Sequence, residues 1–242
     1  MINLPDIQPI GIIHSCYTEK FGIPRQPGLV KSATARLEML APFNRMEMLK
    51  GLDRFSHIWL QFVFHETMTE GWKATIRPPW LGGRERVGIF ASRSPHRPNH
   101  LGLSVVRLTG IVREGKGIFC DLAAIDLLDQ TPVIDIKPYI PYSDRLMDAS
   151  DGYTQPGEKS APQNVVFTEE ARDFCRRYEE TTGRKLYNLI DETLSLDPRP
   201  ASHRVRSGEY GTLFWDINVR WQAGAEFFLV VNCAEKDRVE GQ

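Results

Sequence analysis

Residues 93–100, RSPHRPNH, carry two arginines, two histidines, two prolines and an asparagine between apolar flanks VGIFA and LSVVRLTGI. A connection between strands needs only Gly, Asn, Asp or Pro. The prolines fix φ and stiffen the backbone, so Arg93, Arg97 and Asn99 are expected to be held in place. Such a loop suits a carboxylate or another anion. Arg84, Arg86, Arg93, Arg97 and Arg107, opposed by Glu85, make this the most basic part of the chain.

Three other stretches exceed turn requirements. In FGIPRQPGLVK (21–31), Gly28 allows close backbone approach beside Arg25, Gln26 and Pro27. In FSHIWLQFVFHE (55–66), His65 and Glu66 close an aromatic-rich strand, where a proton acceptor is readily exposed; His57 reads as a core histidine. In DLLDQTPVIDIKPY (126–139), carboxylates lie beside apolar residues, a pattern that accepts hydrogen bonds from ribose hydroxyls or an adenine amino group. His14, His57, His65, His96, His100 and His203 form no metal-ligand spacing, so no metal is expected. The sequence has no dinucleotide-binding glycine fingerprint, no P-loop and no GxSxG elbow.

The elements that must position these residues are mostly strands. Segments 7–16, 36–40, 57–64, 87–91, 103–112, 118–127 and 132–139 read as strands, with one short helix near 44–49. No βα alternation appears, which disfavours a doubly wound nucleotide fold. The expected fold class is mainly β: an N-terminal antiparallel β-barrel over 1–142, a linker over 143–163, and a smaller C-terminal α+β unit over 164–242. In that unit Thr168 caps a helix that Gly183 ends, a second helix stops before Pro198, and 210–220 and 226–233 form a hairpin.

Hydrophobic residues make up 41% of the 242 positions, enough for a substantial core, and the net charge of −1 excludes a broadly basic nucleic-acid coat. Cys16, Cys120, Cys175 and Cys233 are widely spaced and read as buried reduced thiols. The N-terminus lacks a signal-peptide pattern, and no apolar run reaches the roughly 20 residues of a membrane span. A cytoplasmic location is expected.

EKFGIPRQPGLVKSA (19–33), GLDRFSHIWLQFVFH (51–65), RPPWLGG (77–83), GIFASRSPHRPNHLGLS (88–104), DLLDQTPVIDIKPYIPYSD (126–144) and LDPRPA (196–201) together resemble the TsaA-like (TrmO) family. That family includes S-adenosylmethionine-dependent tRNA (adenine-N6)-methyltransferases. Where the family motif has a proline, this chain has His100, and Ser202 stands where a tyrosine is usual. The resemblance implies a barrel that binds S-adenosylmethionine, a homodimer with the cofactor site near its interface, and tRNA as partner, with no DNA and no membrane. It implies transfer to N6 of threonylcarbamoyladenosine next to the anticodon of threonine tRNA. The cofactor contacts it implies are Gln26, Pro27, Gly28, His65, Glu66, Arg93, Leu103, Asp126, Leu127, Leu128 and Asp129.

Methyl transfer from a sulfonium relies mainly on alignment. A urea-type N6 is a poor nucleophile, so proton removal helps. His65, Glu66 or an aspartate of 126–135 can accept that proton, and Arg93 can bind a carboxylate or phosphate; His65, Glu66 and Arg93 are the catalytic candidates. Arg97, Asn99, Arg199 and Arg204 are the candidate tRNA contacts. Two other readings stand beside this one. A non-enzymatic sensor of S-adenosylmethionine or RNA would bind without turnover. A hydrolase would need a nucleophile that Ser92, Ser94 and Cys120 do not evidently supply.

Overall fold

A computed structural model describes residues 6–78, 81, 85–150, 152, 163–200, 203–204 and 207–236. Strands β1 (Gly11–Ser15), β2 (Thr34–Met39), β3 (His57–Val63), β6 (Leu101–Glu114), β7 (Gly117–Ala123) and β8 (Pro132–Pro138) close a six-stranded barrel in the order β1-β2-β7-β6-β3-β8. Every pairing around it is antiparallel. Side chains alternate strictly on β3 and β7. Ile58, Leu60 and Phe62 therefore enter the lumen opposite Ile118, Cys120 and Leu122, as the two-residue period of a strand requires.

The connections β1→β2, β3→β6 and β7→β8 open on one rim, because antiparallel closure returns alternate connections to the same end. Residues 21–31 and 93–100 lie on these connections, and 55–66 and 126–139 run into them from β3 and β8, so topology alone gathers residues far apart in sequence. The entry to β6 is set by a close fit: a Cβ built on Gly102 would lie 2.3 Å from the Phe62 ring, its cross-strand partner. Gly102→Ala is expected to cost about 2 kcal/mol by overpacking, read as a lowered melting temperature.

Several expected elements differ. Residues 87–91 do not form a barrel strand. Among the described residues Val87–Gly88 (β5) pairs only with Thr75–Ile76 (β4), and Ile89–Ala91 turns into a 3₁₀ helix. The strand expected over 118–127 stops at Ala123, since Ala124 has φ 57°. The helix near 44–49 is a 3₁₀ turn, Met46–Leu49. Most of the expected linker over 143–163 lies outside the described residues, apart from the single-turn α1 (Pro141–Asp144) and the residues just after it.

The C-terminal unit contains β9 (Asn164–Phe167), α2 (Glu169–Thr182), α3 (Leu186–Ser195), β10 (Gly208–Phe214), β11 (Ile217–Ala223) and β12 (Phe227–Glu235). Its sheet has the order β10-β11-β12-β9, with β9 parallel to β12. The single strand expected over 210–220 is a hairpin folded at Trp215, whose φ of 52° is unusual for a bulky residue. Thr168 caps α2 as expected: its Oγ1 accepts the Ala171 N–H at 3.2 Å and donates to the Val231 carbonyl at 2.9 Å. Gly183 ends the helix at φ 71°.

One hydrophobic core runs from the barrel into this unit. The hairpin tip joins the two: Trp215 N–H donates to the Cys16 carbonyl at 2.8 Å, and Thr18 Oγ1 donates to the Trp215 carbonyl at 3.1 Å. All four cysteines are free and buried. No helix among the described residues is long and apolar enough to cross a membrane.

Candidate active site

The β1→β2 connection reaches the β3→β6 connection through Gln26, whose Oε1 accepts from Arg93 Nη1. It reaches the β7→β8 connection through Gly28, whose N–H donates to the Ala124 carbonyl at 2.8 Å. Gly28 has φ 81°, and nothing lies within 4 Å of where a Cβ would stand. The backbone there is open to a ligand, as a glycine in this conformation permits.

Asp126 lies two residues beyond Ala124. Its Oδ1 is sealed from solvent and has no hydrogen-bond partner. Ser104 on β6 is the hydrogen-bonding neighbour of its carboxyl, and Arg93 is near enough to act through its charge. Burial pushes the carboxyl up to about 6, against the opposing pull of Ser104, its own backbone N–H and Arg93. An orphaned buried oxygen beside an arginine is costly to a folded chain, and such features gather at functional sites.

The remaining loop residues hold this arrangement. Asp129 Oδ1 accepts the Ser15 N–H at 2.8 Å, and its own N–H donates to the Tyr17 carbonyl at 2.7 Å. Its carboxylate thus fixes the turn. Leu127 belongs to the core, with 1% of its surface exposed. Leu128 is half-buried and accepts the Thr131 hydroxyl at its carbonyl, 2.7 Å away. Pro27 is half-buried in the loop, while Leu103 is exposed on β6.

His65 and Glu66 do not end a strand but open the 3₁₀ helix His65–Glu70. Glu66 Oε1 lies 3.8 Å from His65 Nε2. Lys20, at the foot of the β1→β2 connection, reaches Glu66 at 3.8 Å and Glu70 at 3.9 Å. These pairs are half-exposed and contribute little stability, but they bring the His65–Glu66 turn to the same rim.

Arg97 stiffens its own loop, donating from Nη1 to the Ser92 carbonyl at 2.7 Å and the Ile89 carbonyl at 3.3 Å. The rigidity expected from the prolines therefore has a second source. Asn99 is exposed at the loop tip. Arg199 overturns its expected role as a tRNA contact. It is 5% exposed and forked onto Asp197 at 2.8 and 3.0 Å, because a guanidinium in a packed interior requires a carboxylate partner. Arg204 bridges to the same aspartate at 3.5 Å. Among the described residues no group of His, Cys, Asp and Glu could hold a metal.

The family description tRNA-methyltransferase O N-terminal domain matches residues 12–145, and the TrmO C-terminal domain matches residues 160–236. The chain belongs to the TrmO family. The resemblance read from the sequence and the expected barrel with a C-terminal α+β unit are both borne out. The tRNA (adenine(37)-N6)-methyltransferase of Escherichia coli K12 is 45% identical over 229 residues, spanning 91% of this chain and 95% of that protein. A putative S-adenosylmethionine-dependent methyltransferase, RcsF, of Pseudomonas aeruginosa is 43% identical over 89% of this chain and 91% of its own length. A crystal structure of TrmO from P. aeruginosa superposes with TM-score 0.78 at 36% identity, covering 97% of this chain and 99% of that one.

The four motifs were legible as TrmO-family stretches, but several supports within this fold were not. Ser104 lies in an apolar strand, and only the pairing of β6 places it against Asp126. Lys20 and Ser32 are ordinary loop residues by type.

Proposed function

We propose that this protein is an S-adenosylmethionine-dependent tRNA methyltransferase acting on N6 of adenosine 37, with the N6-threonylcarbamoyl form in threonine tRNA as acceptor. Relatives matched along nearly their whole length carry the adenine-37 N6 activity in their names, and another is named for its dependence on S-adenosylmethionine. The observation that carries the reading is the rim: Gln26 bonded to Arg93, over an Asp126 whose buried Oδ1 lacks a donor.

That donor set fits the cofactor. Arg93 presents a planar cation to a carboxylate. Asp126 Oδ1 and Gln26 accept from amino or hydroxyl groups, and the open Gly28 backbone allows a close approach. When bound, S-adenosylmethionine supplies an activated methyl group. The chain contributes placement and proton removal. Asp126, with Arg93 near enough to act on it through its charge, is read as an acceptor for the cofactor, which requires its covered Oδ1 to be uncovered on binding. His65, partly exposed and with Glu66 3.8 Å away, is the acceptor for the N6 proton in this reading. Asn99 at the loop tip, with the outward face of Arg93, meets the anticodon loop, whose unpaired base costs little to reach.

A homodimer is part of this reading. Leu101 and Leu103 on β6 and Phe90 beside the site, the last 78% exposed, support an apolar contact there. The test uses methyl-labelled S-adenosylmethionine with tRNA that carries or lacks threonylcarbamoyladenosine. Label is expected only in modified threonine tRNA, and His65→Ala is expected to lower kcat by about 100-fold. Bound cofactor with no labelled tRNA of any kind would leave a sensor instead.

A further inference from the structure

The β1→β2 connection carries Gln26–Gly28, yet both of its feet are held by the C-terminal unit. At its start, Glu19 Oε1 accepts the Leu213 N–H at 2.9 Å. At its end, Glu192 on α3 accepts twice from one residue: the Ser32 N–H and the Ser32 hydroxyl, each at 2.9 Å. Glu192 is half-buried on a helix whose neighbouring positions, Leu189, Ile190, Thr193 and Leu194, are core. A carboxylate in that setting is expensive to desolvate unless it is fully used, and here both oxygens serve one loop residue. Beside it, the Tyr17 hydroxyl is buried next to Thr193, so the inner side of the half-buried joint is packed.

We propose that Glu192 is a positioning residue for S-adenosylmethionine binding: it sets the β1→β2 connection from outside the barrel and presents Gln26 and Gly28 at the height where Arg93 and Ala124 meet them. This rests on the reading that Gln26–Gly28 contact the cofactor. A foot that slips by one rotamer would strain the placement of Gln26 against Arg93, because among the described residues the hydrogen bonds that reach across from the middle of the loop are Gly28–Ala124 and Gln26–Arg93, beside the packing of Val30 in the core. The C-terminal unit thereby acts on cofactor affinity without touching the cofactor.

The test measures S-adenosylmethionine Kd by calorimetry on the full chain, with kcat and KM alongside. Glu192→Gln, which leaves an amide facing two donors, and Ser32→Ala are each expected to weaken Kd by about five- to tenfold. The double variant should be no weaker than the worse single one, since both remove the same joint. Ser32→Thr keeps both donors and is expected to restore affinity. The loss should fall on KM for S-adenosylmethionine and leave kcat at saturation close to that of the parent. Gln26→Ala and Arg93→Ala serve as references. If these weaken binding while Glu192→Gln and Ser32→Ala do not, or lower only the melting temperature, the positioning role is wrong. If none of the four changes affinity, the cofactor reading of the loop itself fails.

Discussion

Asp126→Asn is expected to make the cofactor-free protein more stable at pH 8 and to cripple it as a methyltransferase. Burial raises the carboxyl from its ordinary 3.8 to about 6, so the charged form is disfavoured in the folded chain by about 3 kcal/mol. Because the folded value exceeds the unfolded one, that penalty is absent below about pH 4, grows as pH rises towards 6, and is complete above it. Asparagine keeps an acceptor for Ser104 and removes the charge. It also places an amide N–H₂ where Oδ1 had no partner, which returns about 1–2 kcal/mol of unsatisfied polarity. The net gain is about 1–2 kcal/mol, a rise in Tm of roughly 2–8 °C for a chain of this size. The same change should weaken S-adenosylmethionine binding by about ten- to 100-fold, the value of a hydrogen bond to a charged acceptor. Thermal melts of both proteins at pH 5 and pH 8, with a cofactor titration at pH 8, check both halves. A Tm difference that does not grow with pH would show that the carboxyl is not strained. Unchanged affinity would remove Asp126 from the site. Gained stability with lost binding is the expected mark of a residue kept for function at the cost of the fold.

What the sequence made legible followed from local pattern. The 57–64 strand was readable because it is rich in aromatic and β-branched residues, and α2 because Thr168, Glu169, Glu170 and Gly183 sit at the ends where capping and the helix dipole want them. What was missed depended on context. Trp215 at the hairpin tip carries none of the residue types that mark such a turn. It is held there by bonds from its own N–H to the Cys16 carbonyl and from the Thr18 hydroxyl to its carbonyl, some two hundred positions away. Phe90 and Ile89 have strand-forming side chains but lie in a 3₁₀ turn, where Arg97 Nη1 gathers the carbonyls of Ile89 and Ser92. The site behaves in the same way. Gln26, Arg93 and Asp126 were readable by type and family motif, whereas Ser104, Ser32 and Glu192 become meaningful only once barrel closure and the C-terminal unit bring them to one rim.

Arg199 gives the sharpest contrast between a charge read along the chain and one placed in three dimensions. In sequence it belongs to a basic strip with Arg204 and invites assignment to tRNA. In the fold its guanidinium lies 4.7 Å from the Phe228 ring centre and is forked onto Asp197, with both side chains nearly closed to solvent. Arg199→Ala is therefore expected to leave a buried carboxylate with the 3.5 Å contact to Arg204 and the backbone N–H of residue 199 at 3.3 Å, and no charged partner closer than Arg204 among the described residues. The cost of breaking such a pair is about 3–5 kcal/mol, a fall in Tm on the order of 10 °C. Arg199→Lys should recover little, since an ammonium cannot reproduce the two-pronged geometry. Replacing both partners, with Arg199→Met and Asp197→Asn, should be milder than Arg199→Ala alone, because no buried charge is stranded. Measured well below the melting transition, tRNA binding by Arg199→Ala should keep the salt dependence of the parent. Loss of a genuine phosphate contact would reduce that slope by about one. A variant that melts like the parent but binds tRNA with a shallower slope would return Arg199 to the RNA surface. The opposite result fixes it as the pin of the loop that follows α3, with Asp197 near enough to be felt by Arg25, directly beside Gln26.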